Sequence, residues 1–440
     1  MSSFTTALSG LSASSSDLDV TANNIANSNT VGFKESRAEF ADVFSSGAAD
    51  LNTAVIGQGV RLASSAEQFT QGDVNSSSSN LDLAISGDGF FTLKDANGTV
   101  YSRNGEFTQD STGNVVSSTG QALQVYPPVV VNGVTTGFNT GTLTDLNLQT
   151  AQSAPLATTT GAVILNLPAG SAIPVDSAGA TPPGPGFLST DSSSYNWSTS
   201  TTVYTSLGTA YPATLYFTAV PAAPTAVPPV LPNTWQVNMT VNGVDATPTT
   251  APTLTFNSTG GLQSNTPANA AGAGFAGFAY PAGGGSTPDG GNAMAINVDF
   301  SKTTQYGAGF GVTAITQNGY STGQLSTVAI NAAGIVSAVY TNGRSTELGQ
   351  LAMANFPNTQ GLKQLGDTNY SETYNSGDVV QGTAGSASFG SIQSGALESS
   401  NVDLTTELVN MITAQRSFDA NAQVITTANQ ESQTVININH

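Results

Sequence analysis

The sequence has no cysteine, a single histidine and few cations. Without cysteine there is no disulfide, no thiolate nucleophile and no cysteine-ligated metal. The one histidine, His440, is the last residue. That removes histidine-based triads, His-rich zinc sites and most general-base chemistry at neutral pH. Nine Lys+Arg stand against 28 Asp+Glu, a formal net charge of −19, yet charged residues are only 8% of the chain. About 25% is usual, so the acidity reflects missing cations more than added carboxylates. Nucleic acid and anionic membrane surfaces both require basic patches that this composition does not supply. No apolar run reaches the roughly 18 residues that a spanning helix needs. The first Lys or Arg is Lys34, so the cationic start of a secretory signal peptide is missing and none is expected. A chain without cysteine and with so few cations points to a place outside the cytoplasm.

What is present suffices for folded domains. The 440 residues allow two to four domains at roughly 100–200 residues each. Hydrophobic residues make up 38% and glycines number 47, enough apolar material to exclude global disorder. Ser, Thr, Asn, Gln and Gly replace the usual surface charge. Such a surface repels copies of itself weakly, which suits self-association. It equally suits a secreted β protein with a polar, uncharged coat, and composition leaves both open.

Both ends read as helices. Phe4, Leu11, Leu18 and Ile25 are seven apart and form one heptad position, d; Met1, Leu8, Ser15, Ala22 and Asn29 form the other, a. At the C-terminus Leu397, Leu404, Met411, Phe418 and Ile425 take d, and Asn401, Leu408, Gln415, Ala422, Asn429 and Ile436 take a. This spacing predicts helices of about 28 and about 33 residues, roughly 42 and 50 Å long, with Asp403 or Ser400 as the second helix's N-cap. A seam this narrow buries too little to hold either helix alone in water. The expected behaviour is therefore helix on assembly, with residues 1–30 and 398–440 as a coiled-coil-like assembly domain. The alternative is a pair of helices covering a β core.

The middle reads as β structure. Leu81, Leu83 and Ile85 alternate with polar or small residues, Phe90 to Leu93 follows, and turns are marked at Asn97-Gly98, Asn104-Gly105 and Gly113-Asn114. Residues 325–356 repeat this texture, with strands over 325–330 and 335–340 and turns at Gly334 and Asn342-Gly343. One discontinuous β domain, 71–150 with 322–397, is expected from the two stretches. Residues 151–321 are Pro- and Gly-rich and predict one or two inserted β domains, with strands near 214–218, 235–241 and 295–300 and a Gly/Ala-rich loop over 268–285. Residues 31–70 show no clean pattern; Phe33, Phe40, Val43 and Phe44 suggest a short helix or packed linker.

No motif carries catalysis. Gly272, Gly274 and Gly277 match GxGxxG, but no strand precedes them and Pro281 follows, so no helix N-terminus is available to a pyrophosphate. Gly319-Tyr320-Ser321-Thr322-Gly323 matches GxSxG without a histidine partner inside the chain. Asp110-Ser111-Thr112-Gly113-Asn114 superficially resembles a calcium loop, but Val115 and Gln121 occupy the positions that need Gly and Glu. It reads as an Asx-rich hairpin turn. A pair of carboxylates acting on a glycosidic bond stays open, though no local acid cluster supports it. No enzyme, metal or cofactor is expected.

Several segments carry a specific resemblance. Ala7 to Leu11 and Asn23-Asn24-Ile25-Ala26-Asn27, followed by Gly32-Phe33-Lys34, resemble the N-terminal signature of the bacterial flagellar rod and hook protein family. The segment holding Gly87, Gly89 and Phe90 resembles its internal motif. Leu397, Glu398, Asn401, Val402 and Asp403, with the Ala414–Asn421 segment, resemble its C-terminal signature. Tyr101 to Phe107 and residues 349–362 are similar to the hook-forming members, and the chain's length sets it apart from the shorter rod members. The resemblance covers both ends and the β stretches; the Pro-rich middle matches nothing.

The resemblance implies a mainly β, multidomain subunit with nested, out-and-back chain organisation and terminal helices forming an inner domain. Its function would be to self-assemble into a flexible tube that transmits torque from rod to filament. It implies a helical homopolymer in contact with the distal rod, a hook cap, hook–filament junction proteins, a hook-length-control protein and the flagellar type III export apparatus, with no nucleic-acid or membrane partner. The assembly seam would comprise Phe4, Leu8, Leu11, Leu18, Ala22, Ile25, Leu404, Leu408, Met411, Gln415, Phe418, Ala422, Ile425 and Asn429. A rod subunit of the same family, or an extracellular β-rich adhesin, remains the alternative.

Overall fold

The computed structural model describes residues 2–43, 57–131, 134–149, 152–174, 187–220, 233–266, 275–281, 286–386 and 388–438. The chain is mainly β with one long helix at each end. It divides into two compact units: residues 1–150, 326–339 and 345–440 form the first, and residues 151–325 with 340–344 form the second.

In the first unit, helix α1 spans Ser2–Ala26 and helix α2 spans Leu404–Ile438. Neither contains proline, and α2 contains no glycine. Asp403 caps α2, accepting from the backbone N–H of Thr405 at 2.8 Å. The helices lie antiparallel. Gly10 sits against Asn421, and residues 17–24 of α1 border one cleft with Glu407, Asn410 and Thr413 of α2.

The face each helix turns inward differs from the expected seam. Ala7, Ser14 and Thr21 are the buried residues of α1 at seven-residue intervals; Glu407 and Ala414 are buried on α2, continued by half-buried Asn421 and Ala428. The heptad period is as read, but within the chain its phase lies one residue before the expected a positions. The reason is close approach: a Cβ on Gly10 would stand 2.8 Å from Asn421 Oδ1. Small side chains fit that gap and Phe or Leu do not.

The described residues of 31–70 form a pair of strands where a short helix or packed linker was expected. Strand β1 (Ser36–Asp42) pairs antiparallel with β2 (Val60–Glu67), from Ser36↔Glu67 to Asp42↔Val60, with a register shift at Glu39/Phe40. Phe44 lies outside the described residues. Charged residues on both strands hide the alternation that signals a sheet.

Four short strands follow: β3 (Val74–Ser76), β4 (Leu83–Ser86), β5 (Phe90–Asp95) and β6 (Gly98–Ser102). The sheet runs in the order 325–330, 335–340, 345–355, 122–126, β5, β6, 369–371, 363–366, so distant parts of the sequence alternate within it. The tight turn from β5 to β6 places Asp95 opposite Gly98, which takes φ +137°. β5 is buried on both faces. Phe91 and Leu93 join Leu83, Ile85, Leu123, Val125, Leu351 and Met353 in one core. Phe90 joins Tyr101, Phe356 and Tyr370 in another, its ring edge-on to Phe356 and Tyr370. Two late segments return to early ones: 396–398 pairs with β3, and 391–394 pairs with β4. Asp110 forms an Asx turn, accepting from the N–H groups of Thr112 and Asn114, each at 2.8 Å.

In the second unit, two sheets enclose one apolar core. One sheet carries strands 275–280, 294–299, 160–168, 304–306 and 311–317; the other carries 197–204, 210–220, 234–241, 244–245, 253–256 and 262–266. Trp235, Phe217, Phe256 and Phe300 are fully buried between them. Part of the expected 268–285 loop is a strand. Phe275–Tyr280 pairs with Met294–Asp299, burying Ala276, Phe278 and Tyr280 while Gly277 and Ala279 alternate with them. Gly272 and Gly274 lie outside the described residues.

Candidate functional site

The strongest polar feature of the first unit joins its first and last β segments to its sheet. Glu398, fully buried, accepts from Lys34 Nζ at 2.6 Å through Oε1 and from Arg103 at 3.3 Å through Oε2. Lys34 Nζ also donates to the Thr70 carbonyl at 2.7 Å, and Glu398 Oε1 accepts from the Gly72 N–H at 3.0 Å. Arg103 donates to the Gly87 carbonyl at 2.8 Å and lies over the Phe90 ring, 5.6 Å from its centre. Burial pushes the Lys34 amine down from its ordinary value, and the Glu398 carboxylate opposes that shift.

Two further ties surround this clasp. Asn24 and Ser36 exchange hydrogen bonds, the amide donating to the Ser36 carbonyl at 2.7 Å and accepting from its N–H at 2.9 Å. This fixes the angle between α1 and β1. Asn401 accepts from the Glu35 N–H at 2.7 Å and donates to the Gln68 carbonyl at 2.8 Å, tying the start of α2 to the hairpin. Gly32 takes φ +70° with its N–H donating to the Glu398 carbonyl at 2.8 Å; a Cβ there would meet the Asn104 nitrogen at 2.6 Å. Glu67, hydrogen-bonded to Tyr370, is pushed up to about 7 by burial, with the Tyr370 bond and Lys34 pulling the other way. The chemistry of this constellation is a charge-assisted lock. Removing one partner of a buried ion pair costs about 3–5 kcal/mol.

The structure brings several signature residues to this lock. Asn24, Gly32, Gly87, Phe90, Glu398 and Asn401 touch it directly. Gly89 is a turn residue at φ +120° against Met353, and Asp403 is the α2 cap. Asn23 and Asn27 hydrogen-bond each other on α1 at 2.6 Å. Ile25, Phe33, Leu397 and Val402 are half-buried around the clasp's chain segments, and Ala26 is exposed. Lys34 and Arg103 are the clasp residues absent from the expected site. The available signal was scarcity: three of only nine cations, Lys34, Arg103 and Arg416, fall inside motif segments, and two of those three form the clasp.

The expected seam residues fall into two groups. Leu11, Leu18, Ile25, Met411, Phe418, Ala422 and Ile425 are half-buried. Phe4, Leu8, Ala22, Leu404, Leu408, Gln415 and Asn429 are exposed, with Leu8 at 50% and Leu404 at 46%. Val409, Ile412 and Val424 are also exposed. The helices therefore carry an apolar surface that the described residues leave uncovered.

Four family models match: the flagella basal body rod protein at residues 4–34, the flagellar hook protein FlgE/F/G D1 domain at 84–176, the flagellar basal body protein FlaE D2 domain at 166–320 and the flagellar basal body rod FlgEFG protein C-terminal at 393–438. The flagellar hook protein FlgE of Escherichia coli is 37% identical over 443 residues, covering 99% of both chains. That of Salmonella typhimurium is 38% identical over 442 residues, covering 99% of this chain and all of the relative. That of Borreliella burgdorferi is 31% identical over 458 residues, covering all of this chain and 99% of the relative. The crystal structure of Helicobacter pylori flagellar hook protein FlgE2 has a similar fold, with TM-score 0.53 and 14% identity, covering 74% of this chain and 100% of that one.

Proposed function

The chain belongs to the flagellar hook protein family, and from that premise we propose that it is the repeating subunit of a flexible helical tube, the hook, which passes torque from rod to filament. The observation that carries this reading is the apolar surface left open on both helices. Phe4, Leu8, Leu404 and Leu408 are too exposed to stabilise the isolated chain. Burying such side chains is worth roughly 1.5–3 kcal/mol each, so a neighbouring copy gains what the chain itself does not use.

The contact that follows is heterologous: one face of the helix pair meets a different face of the next copy. When such a contact does not close on itself, it builds an open helical tube. The helices form its inner, coiled-coil-like layer and maintain continuity along the tube. The β units lie outside, residues 151–321 outermost as a nested insertion, where a surface poor in charge lets neighbours slide at small electrostatic cost as the tube bends. The clasp makes each helix pair follow its own β unit, so bending and rotation are transmitted rather than lost within a subunit. By family, the tube meets the distal rod at one end and hook–filament junction proteins at the other. Copies leave through the flagellar type III export apparatus and add beneath a hook cap, and a length-control protein sets where growth stops.

Electron microscopy of the concentrated full-length protein tests the reading. Tubes are expected, and a chain ending at residue 403 should stay monomeric with its β units folded. A full-length chain that stays monomeric at every concentration and salt condition, with Leu8 and Leu408 exposed, would sink it.

A further inference from the structure

We propose that Arg416 of one copy docks into an acidic cleft of the next copy, between Asp17, Glu35 and Glu407. The contact rests on the assembly reading above and gives it a specific charged partner.

The cleft lies between α1, α2 and β1 and has a volume of about 480 Å³. Glu407 borders it from α2, Asp17 from α1, and Glu35 from the turn into β1. Glu407 is only 3% exposed, and among the described residues its carboxylate accepts one side-chain hydrogen bond, from Asn410 Nδ2 on its own helix at 3.5 Å. That distance is at the outer limit of a hydrogen bond and brings no positive charge. Among the described residues, no Lys or Arg nitrogen comes within 4.0 Å of the three carboxylates. Arg37 borders the cleft; three carboxylates less one guanidinium leave two net negative charges. Burial raises Asp17 and Glu35 above the usual carboxylate range; at Glu35 the Glu407 charge adds to the shift, Arg37 opposes it and Asp403 adds a smaller push upward. A buried carboxylate without a counter-cation is a costly arrangement in a finished structure, so the cleft fits a cation supplied from outside the chain.

The chain carries a matching group. Arg416 is the sole cation of the two helices, it is exposed, and no carboxylate lies within 4.0 Å of it among the described residues. It follows Glu407 by nine residues, which places it roughly half a turn around α2 and roughly 14 Å along it. The two cannot meet within one chain. Complementary groups on opposite faces of one element are what a heterologous, propagating contact needs. A guanidinium also suits the site, since its planar fork pairs with two carboxylate oxygens at once.

Charge reversal on the full-length chain tests the contact, with tubes quantified by sedimentation and microscopy and helix content followed by circular dichroism. Arg416→Glu should cut tube mass about tenfold or more, Arg416→Gln should cut it less, and neither should change helix content. Adding Glu35→Arg or Asp17→Arg to Arg416→Glu should recover tubes. Arg416→Glu assembling as well as the wild type overturns the proposal, and so does a loss that neither reversal relieves. Failure of the wild type itself to form tubes counts against the assembly reading, and against this contact with it.

Discussion

The two units hold themselves together by different means. The second has a core containing Trp235, Phe217, Phe256 and Phe300, and none of the three ion pairs found among the described residues falls in it. It is a finished β structure whose stability comes from packing. The first also has apolar cores under its sheet, but its helices contribute little to them. Ala7 is the only hydrophobic residue buried on α1, and Ala414 the only one on α2, among the residues whose burial is described. The chain's ends are held instead by Lys34, Glu398 and Arg103. Packing completes the second unit without help. The first is locked by charge, with an apolar surface still awaiting a partner.

The largest expected effect separates assembly from folding. Leu408→Asp should abolish tubes while leaving the monomer's melting temperature within about 1 °C, because Leu408 is exposed in the chain and exposed substitutions change stability little. Sedimentation and calorimetry on one preparation check both halves. A monomer destabilised by several degrees would show that Leu408 belongs to an intrachain core.

Next come two substitutions that set the units against each other. Glu398→Gln leaves Lys34 and Arg103 facing a neutral amide and should destabilise the first unit by about 3–5 kcal/mol. Trp235→Ala should cost the second about 3–5 kcal/mol by emptying its core. Each should shift one calorimetric transition and spare the other. A single transition shifting equally in both variants would erase the distinction between units.

A smaller effect is pH-dependent. Burial raises Glu67 from 4.5 to about 7, so between these values the folded chain holds a proton that the unfolded chain has lost. The stability this provides is full below about pH 4.5 and is lost as the pH rises through about 7. Melting curves of the first unit should therefore show a downward slope over this window that Glu67→Gln reduces. An unchanged slope would remove Glu67 from the account.

The smallest concerns a turn. Asp367 and Thr368 take φ +51° and +58°, a conformation that a β-branched residue adopts at a cost. Thr368→Gly should stabilise the first unit by about 1 kcal/mol, read from denaturant midpoints. A loss of stability would mean that the threonine side chain provides more than the strain removes.

How much of this was legible in the sequence varied by element. The helices and their period were readable because heptad spacing is local. The phase was not, because it depends on which residues lie opposite; nothing in α1 alone marks Ala7, Ser14 and Thr21 as the close-approach face. Strands at 83–95 and 325–340 were readable from alternation and glycine turns. The 36–67 hairpin was not, because Arg37, Glu39 and Arg61 interrupt its apolar pattern. At 275–280 the inward Ala276, Phe278 and Tyr280 were masked by a Gly/Ala-rich neighbourhood. The signature residues pointed to the clasp region, but the ion pairs join residues hundreds of positions apart. No local pattern encodes that.

That separation has a consequence for timing. Lys34 and Glu398 stand 364 positions apart, and Arg103 and Glu398 stand 295 apart. Almost all of the second unit comes from one continuous stretch, 151–325, so it can close as soon as that stretch is free. Lys34 and Arg103 must wait, without their carboxylate, until residue 398 is available. A copy cut short before residue 398 never receives its shared carboxylate and never sets its two ends side by side. The clasp thus works as a checkpoint on chain length, passed only by a copy that reaches residue 398.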